Sequence, residues 1–225
     1  MDFTLRPQQP SARDAVYYKL REQILSLELP PGTPLSEKES SLAFQVSRTP
    51  VRESFMRLAQ EGLVQVLPQR GTYVSLIDTE LVEEARFMRE QLEKSVIRLA
   101  CEHFPDASLA ELEANLREQR ECVLNQDDKR MFELDEAFHR TIFDGCRKQN
   151  TWAVIQQMNV HLNRSRVLRL AVDHHWSNLQ TQHEQMTEAI KTHDADRAEQ
   201  LMKEHLSQNI ADLAVLKQKY PNYFK

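Results

Sequence analysis

LSEKESSLAFQVSRTPVRESFMRLAQEGLVQVLPQRGTYV, residues 35–74, is the stretch whose reading decides the fold. Ser36 can cap a free backbone N–H, and Glu39 stands three residues on, the spacing of a capping box. A short helix over 37–44 follows. Gln45, Val46 and Ser47 form a turn, with Ala43 and Val46 expected to pack beneath it. Thr49-Pro50 then supplies a capping hydroxyl and a proline suited to a first helical turn. The second helix runs to about residue 61, where Gly62 stops it. Val51, Phe55 and Leu58 follow i, i+4, i+7 spacing, so that face is expected to be buried and the N-terminal end of the helix left free.

That free end carries Ser47, Arg48, Thr49 and Arg52, where a recognition helix meets base edges and phosphates in the major groove. Arg48 and Arg52 are the residues expected to read guanine. Beyond Gly62, Val64 and Val66 alternate with Gln65 as in a half-buried strand, Pro68-Gln69-Arg70-Gly71 turns the chain, and Thr72-Tyr73-Val74 returns. The product is a β-hairpin wing with arginine at its tip. Each arginine alone reads equally well as a solvated surface charge; box, turn and hairpin together favour a DNA reader.

Outward from this stretch, 225 residues with 40% hydrophobic content suffice for two small domains. Only 4 glycines argue for a mainly α chain without long flexible linkers. No apolar run has the length of a membrane span and the first ten residues lack a signal-peptide core, which predicts a cytoplasmic protein with no membrane partner. Cys101, Cys122 and Cys146 stand in no metal or redox spacing and read as reduced thiols in helices. The net charge of -5 is uneven: residues 1–74 hold nine Lys and Arg against eight Asp and Glu, and the rest carries the acidic excess. DNA-facing charge must therefore be local.

Residues 1–11 read as a disordered arm, 12–75 as a winged helix-turn-helix, and 76–225 as an all-α antiparallel bundle. The first helix spans 12–27 with Val16, Leu20 and Ile24 buried, and Pro30-Pro31-Gly32 ends it. After a short connector at 75–78, helices are expected over 79–101 (in one or two pieces), 109–125, 129–144, 152–172, 177–192 and 195–220.

On the 129–144 helix, Asp135 interrupts the stripe of Met131, Phe132, Phe138 and Ile142, with His139 one turn along. A buried carboxylate needs a partner. His183 sits among Leu179, Met186 and Ile190, and His205 flanks Met202 and Leu206. One carboxylate and three imidazoles on three helices suit a divalent metal: zinc first, nickel or manganese otherwise. Each histidine alone reads as an ordinary imidazole bonded to backbone or water. A metal-dependent hydrolytic enzyme would use the same four ligands with an open position for water, but it needs no DNA reader and no general base stands beside the set. Arg89 offers a guanidinium for a carboxylate, or a surface salt bridge to Glu93. Asn209, one turn after His205, could donate to a bound hydroxyl or be a solvated amide. Arg164, Arg166 and Arg169 could border a pocket, but a solvated face or a dimer contact is the preferred reading.

The chain resembles the GntR family of bacterial transcription regulators through VYYKLREQILSL (16–27), PPGTPLSEKE (30–39), VSRTPVRESFMRLAQEGLV (46–64) and PQRGTYV (68–74). The resemblance implies DNA contacts from Lys38, Arg48, Thr49, Arg52, Arg70 and Gly71; Lys38 replaces the arginine of some members and keeps charge without the bidentate fork. Asp135-x3-His139, His183-x5-Ala-Ile and His205, with Arg89-x2-Leu-Glu93, resemble the effector domain of the FadR-type branch, known as FCD. This implies a metal at Asp135, His139, His183 and His205, a small organic acid held near Arg89, and a homodimer on a palindromic double-stranded operator, with repression the commoner sign.

Overall fold

The computed structural model describes residues 11–170 and 176–225, the side chains of Leu170 and of residues 208–212 lying outside the description. The expected arm thus falls outside the described residues except for Ser11, whose hydroxyl accepts from the Asp14 N–H at 3.2 Å and caps the first helix. Helix α1 (Ala12–Leu25) buries Val16, Leu20 and Ile24 as their spacing predicts, together with Tyr17. It ends two residues before the predicted boundary, and the chain leaves through Leu27 at φ 61°.

Strand β1 (Pro34–Leu35) precedes helix α2 (Glu37–Ala43), which Ser36 caps by accepting from the Glu39 N–H at 3.3 Å. Ala43 is exposed rather than packed under the turn; Phe44 and Val46 are the half-buried residues there. Gln45 adopts φ 56° to reverse the chain. Helix α3 (Arg48–Gln60) starts one residue before Thr49, with Ser47 at the N-cap position and making no side-chain cap bond. Its inner face buries Val51, Phe55 and Leu58, and the Ser54 hydroxyl donates to the carbonyls of Pro50 at 2.8 Å and of Arg13 at 3.0 Å. Gly62 at φ 73° lets the chain leave α3 in the left-handed region that side chains avoid.

Strands β2 (Val64–Leu67) and β3 (Gly71–Val74) form the predicted hairpin, Val64 opposite Val74 and Leu67 opposite Gly71. The sheet has a third strand: its order is β1-β3-β2, all antiparallel, with Leu35 opposite Thr72. Two residues are too short to carry an alternation, so β1 left no mark in the pattern. A second addition comes from the far end of the chain. Ile77 bridges Phe224, its N–H donating to the Tyr223 carbonyl at 2.7 Å while Lys225 N–H donates back to the Ile77 carbonyl at 3.1 Å. Residues 222–225 therefore belong to the first compact unit, which otherwise ends at Ile77, and the second unit is Asp78–Pro221.

The elements of the second unit among its described residues are helices joined by short turns: α4 (Thr79–Glu102), α5 (Asp106–Asn125), α6 (Asp128–Gly145), α7 (Gln149–Met158), α8 (Val160–Leu170), α9 (Trp176–Lys191) and α10 (Ala195–Lys219). Helix α4 is one continuous piece, capped by the Asp78 carboxylate on the Glu80 N–H at 3.0 Å. It packs along α10, and α5 along α6, around a core that includes Ile97, Phe138, Ile142, Met186 and Leu201. The helix expected over 152–172 is two helices parted at Asn159, which is wholly buried with neither side-chain amide atom hydrogen-bonded. Cys101, Cys122 and Cys146 are free thiols, the first two buried, with Cys146 at the end of α6.

Candidate metal centre and nucleic-acid interface

At the start of α3, Ser47, Arg48, Thr49 and Arg52 are all exposed, as are Lys38 on α2 and Arg70 and Gly71 at the β2–β3 turn. Arg52 pairs with Glu37 at 3.3 Å across the helix-turn-helix, the arginine side chain remaining 71% exposed. Among the described residues, Lys38, Arg48 and Arg70 have no carboxylate partner. Three uncompensated cations and one weakly held one therefore share the unit in which the buried face of α3 fixes the helix.

The second unit treats charge in the opposite way. Asp135 and His139 lie one turn apart on α6, His183 comes from α9 and His205 from α10, and all four are buried. Their candidate ligand atoms lie within 4.8 Å of one another. From Asp135 Oδ1, His183 Nε2 is 3.7 Å away and the Nε2 atoms of His139 and His205 are each 4.0 Å away. His139 Nε2 and His205 Nε2 are 3.1 Å apart.

The opposite edge of each ring faces an acceptor. His139 Nδ1 lies 2.5 Å from Glu93 Oε2, His183 Nδ1 3.0 Å from Gln119 Oε1, and His205 Nδ1 3.0 Å from Gln182 Oε1. The His139–Glu93 approach is a close ion-pair distance without hydrogen-bond geometry; a proton on each Nδ1 would turn all three Nε2 lone pairs towards Asp135 Oδ1. Asp135 Oδ1 and His183 Nε2 have no hydrogen-bond partner, while His139 Nε2 and His205 Nε2 stand within hydrogen-bond distance of each other. Buried unpaired acceptors cost about 1–3 kcal/mol each, and a cation between them would remove that cost. The donor set fits a divalent ion accepting nitrogen and oxygen, with outer partners orienting each imidazole.

Protonation follows the same logic. Burial alone would raise the Asp135 carboxyl, but Arg166, whose Nη2 bonds Asp135 Oδ2, and then the imidazoles hold it well below the usual carboxylate range. Burial pushes His183 down to about 3 and His205 well below its ordinary value. Glu93 is held at about 2, its burial outweighed by Arg89 and then His139. At neutral pH Asp135 is thus an anion while His183 and His205 are neutral, the forms that ligate metal.

Arg89 does pair with Glu93, Nε to Oε1 at 2.5 Å, but in the interior rather than on the surface, and its Nη2 is buried without a partner. The side chain of Asn209 lies outside the described residues. The solvated face expected for Arg164 and Arg166 is wrong: Arg164 is fully buried, and Arg166 is buried against Asp135, Glu136 and Asn163. Sequence reasoning missed Gln119 and Gln182 because a glutamine on a helix carries no sign of which neighbour it will reach. Arg166 misled because charge spacing on α8 reads as exposure.

A winged helix-turn-helix with an exposed basic edge, followed by a helical unit built around a buried Asp/His centre, defines a DNA-binding transcription regulator. Residues 12–74 match the family described as bacterial regulatory proteins, gntR family, and residues 84–208 match the FCD domain. The chain is 34% identical over 220 residues to the HTH-type transcriptional repressor RspR of Escherichia coli K12, covering 98% of this chain and 96% of that one. It is 36% identical over 212 residues to an uncharacterized HTH-type transcriptional regulator in the unstable DNA locus of Streptomyces ambofaciens, covering 94% and 89%. The solved structure of E. coli McbR/YncC shares the fold, with a TM-score of 0.77 at 24% identity over 94% of this chain and 100% of that one. The chain belongs to the GntR family of transcription regulators, in the branch that carries an FCD domain. It is not an enzyme, which removes the hydrolase reading of the Asp/His set.

Proposed function

We propose that this protein is a repressor that binds a palindromic operator as a homodimer and changes its affinity when a small organic acid enters the helical domain at a divalent metal. The observation that carries the sensor half is the convergence of Asp135 Oδ1 with three imidazole Nε2 atoms, two of these acceptors having no hydrogen-bond partner. A bound divalent ion, zinc first and nickel or manganese otherwise, would supply an electrophilic anchor for a carboxylate. Asp135, His139, His183 and His205 would hold it. Arg89 supports the acid reading, since its buried Nη2 is a donor awaiting an acceptor.

The reader half rests on the exposed cations. Arg48 and Arg52 contact guanine, Ser47, Thr49, Arg70 and Gly71 contact backbone and groove, and Lys38 contacts phosphate. Two copies related by a two-fold axis read two half-sites. The name of the RspR relative supports the repressor sign.

Two ties within the second unit support coupling. Glu93 joins the centre to α4, whose first turn follows the connector. Helix α8 carries Arg166, bonded to Asp135, and also His161, whose Nδ1 accepts from the Asp78 N–H at 3.0 Å. A change at the centre therefore has a short path to Asp78, the residue after Ile77. The test is metal analysis of protein purified without added metal, then thermal unfolding against sugar acids, hydroxy acids and dicarboxylates, because a ligand of the folded state raises the midpoint. A selective hit should alter operator affinity. Equal affinity with and without saturating hit would overturn the sensor reading.

A further inference from the structure

A polar chain runs from α6 through α5 to α9 and ends at a candidate ligand. The Asn115 amide Nδ2 donates to the Leu134 carbonyl at 2.9 Å, the Gln119 amide Nε2 donates to Asn115 Oδ1 at 2.6 Å, and Gln119 Oε1 faces His183 Nδ1 at 3.0 Å. All three side chains are buried, Gln119 and His183 completely.

The polarity of this chain is fixed from its far end. A backbone carbonyl can only accept. Asn115 must therefore turn its NH2 towards Leu134 and its oxygen towards Gln119. Gln119 must answer with its own NH2, which leaves its oxygen for the imidazole. Reversing either amide would set two acceptors or two donors face to face in the interior, where an unmade hydrogen bond costs about 1–3 kcal/mol. His183 must accordingly carry its proton on Nδ1, although a histidine side chain in water prefers it on Nε2. Leu134 is also the neighbour of Asp135 in the chain, so the relay starts and finishes at the same centre.

We propose that Asn115 and Gln119 are positioning residues that lock His183 in the Nδ1–H tautomer and thereby present Nε2 as a ready metal donor. The inference rests on the metal reading of the Asp/His centre. Neither residue touches the ion; they act through the imidazole. Outer partners of ligating histidines typically matter by about 10- to 100-fold in metal affinity.

The experiment has two readouts. In metal-stripped wild-type protein, the ring 15N shifts of His183 should show a protonated Nδ1 and an unprotonated Nε2; the reverse pattern overturns the proposal without any substitution. Zinc chloride titrated into stripped protein should then bind Gln119→Leu about 10- to 100-fold more weakly than wild type. Wild-type affinity in a folded Gln119→Leu overturns the inference alone. Failure of wild type to bind zinc, nickel or manganese overturns the metal reading and the inference with it.

Discussion

Arg52 and Arg166 are the same side chain in opposite circumstances. Arg52 is 71% exposed and leans on Glu37 at 3.3 Å, a surface pair of the kind worth about 0–1 kcal/mol and readily exchanged for a phosphate or a base edge. Arg166 has a side chain only 9% exposed and is locked to Asp135 and Glu136. Its burial penalises the charge, and those two carboxylates more than offset the penalty, holding the guanidinium protonated. An exposed cation is available to a partner, whereas a buried one is committed to its anions. In the first unit Arg52 is displayed to solvent, and in the second Arg166 is taken up by the carboxylates at the Asp/His centre.

The contrast is broken most severely at Asp135. Replacing it with alanine leaves the buried Arg166 with Glu136 as its remaining carboxylate, and urea unfolding should show a loss approaching about 3 kcal/mol together with loss of metal binding. Adding Arg166→Met should restore much of the stability but not the metal. If the single variant is as stable as wild type, the buried pair does not hold the bundle. Next comes Arg48→Ala, expected to weaken operator binding by about 1–3 kcal/mol at fixed salt while leaving unfolding within about 0.5 kcal/mol of wild type. Unchanged operator affinity would remove Arg48 from the reader.

Asn159 offers a finer test. Both of its amide atoms are buried and unpaired, so Asn159→Leu should raise the stability of the metal-free protein by about 1 kcal/mol. A destabilised variant would show that the amide is satisfied in solution. The smallest effect is expected at Lys38: its replacement by alanine should lower operator affinity for all sequences alike and reduce the salt slope by about 1. A sequence-dependent loss would make it a base contact instead.

Legibility followed the range of the interactions. The helix-turn-helix could be read because its signals are local: Ser36 caps three residues ahead, Gly62 stops α3, and Val51, Phe55 and Leu58 share a face by spacing alone. Asp135 and His139 were legible for the same reason, one helical turn apart inside an apolar stripe. That His183 and His205 belong with them came from resemblance, since nothing in their spacing specifies which helices meet. Helix α8 shows the limit most clearly. Residues 160–166 are buried on every side, yet they include His161, Asn163, Arg164, Ser165 and Arg166, a composition that argues for solvent.

By itself the sequence determined the helix-turn-helix, the boundaries of most helices and the placing of Asp135 and His139 on one helix face, because periodicity, caps and turns act within a few residues. Only the tertiary structure decided that residues 222–225 return to pair with Ile77, that β1 completes the sheet, and that the helix after Gln149 divides at Asn159. It also decided that Glu93, Gln119 and Gln182 each face the Nδ1 of one histidine. Those pairings join positions far apart in the chain, and a side chain that can both donate and accept takes its role from the neighbour that folding brings to it.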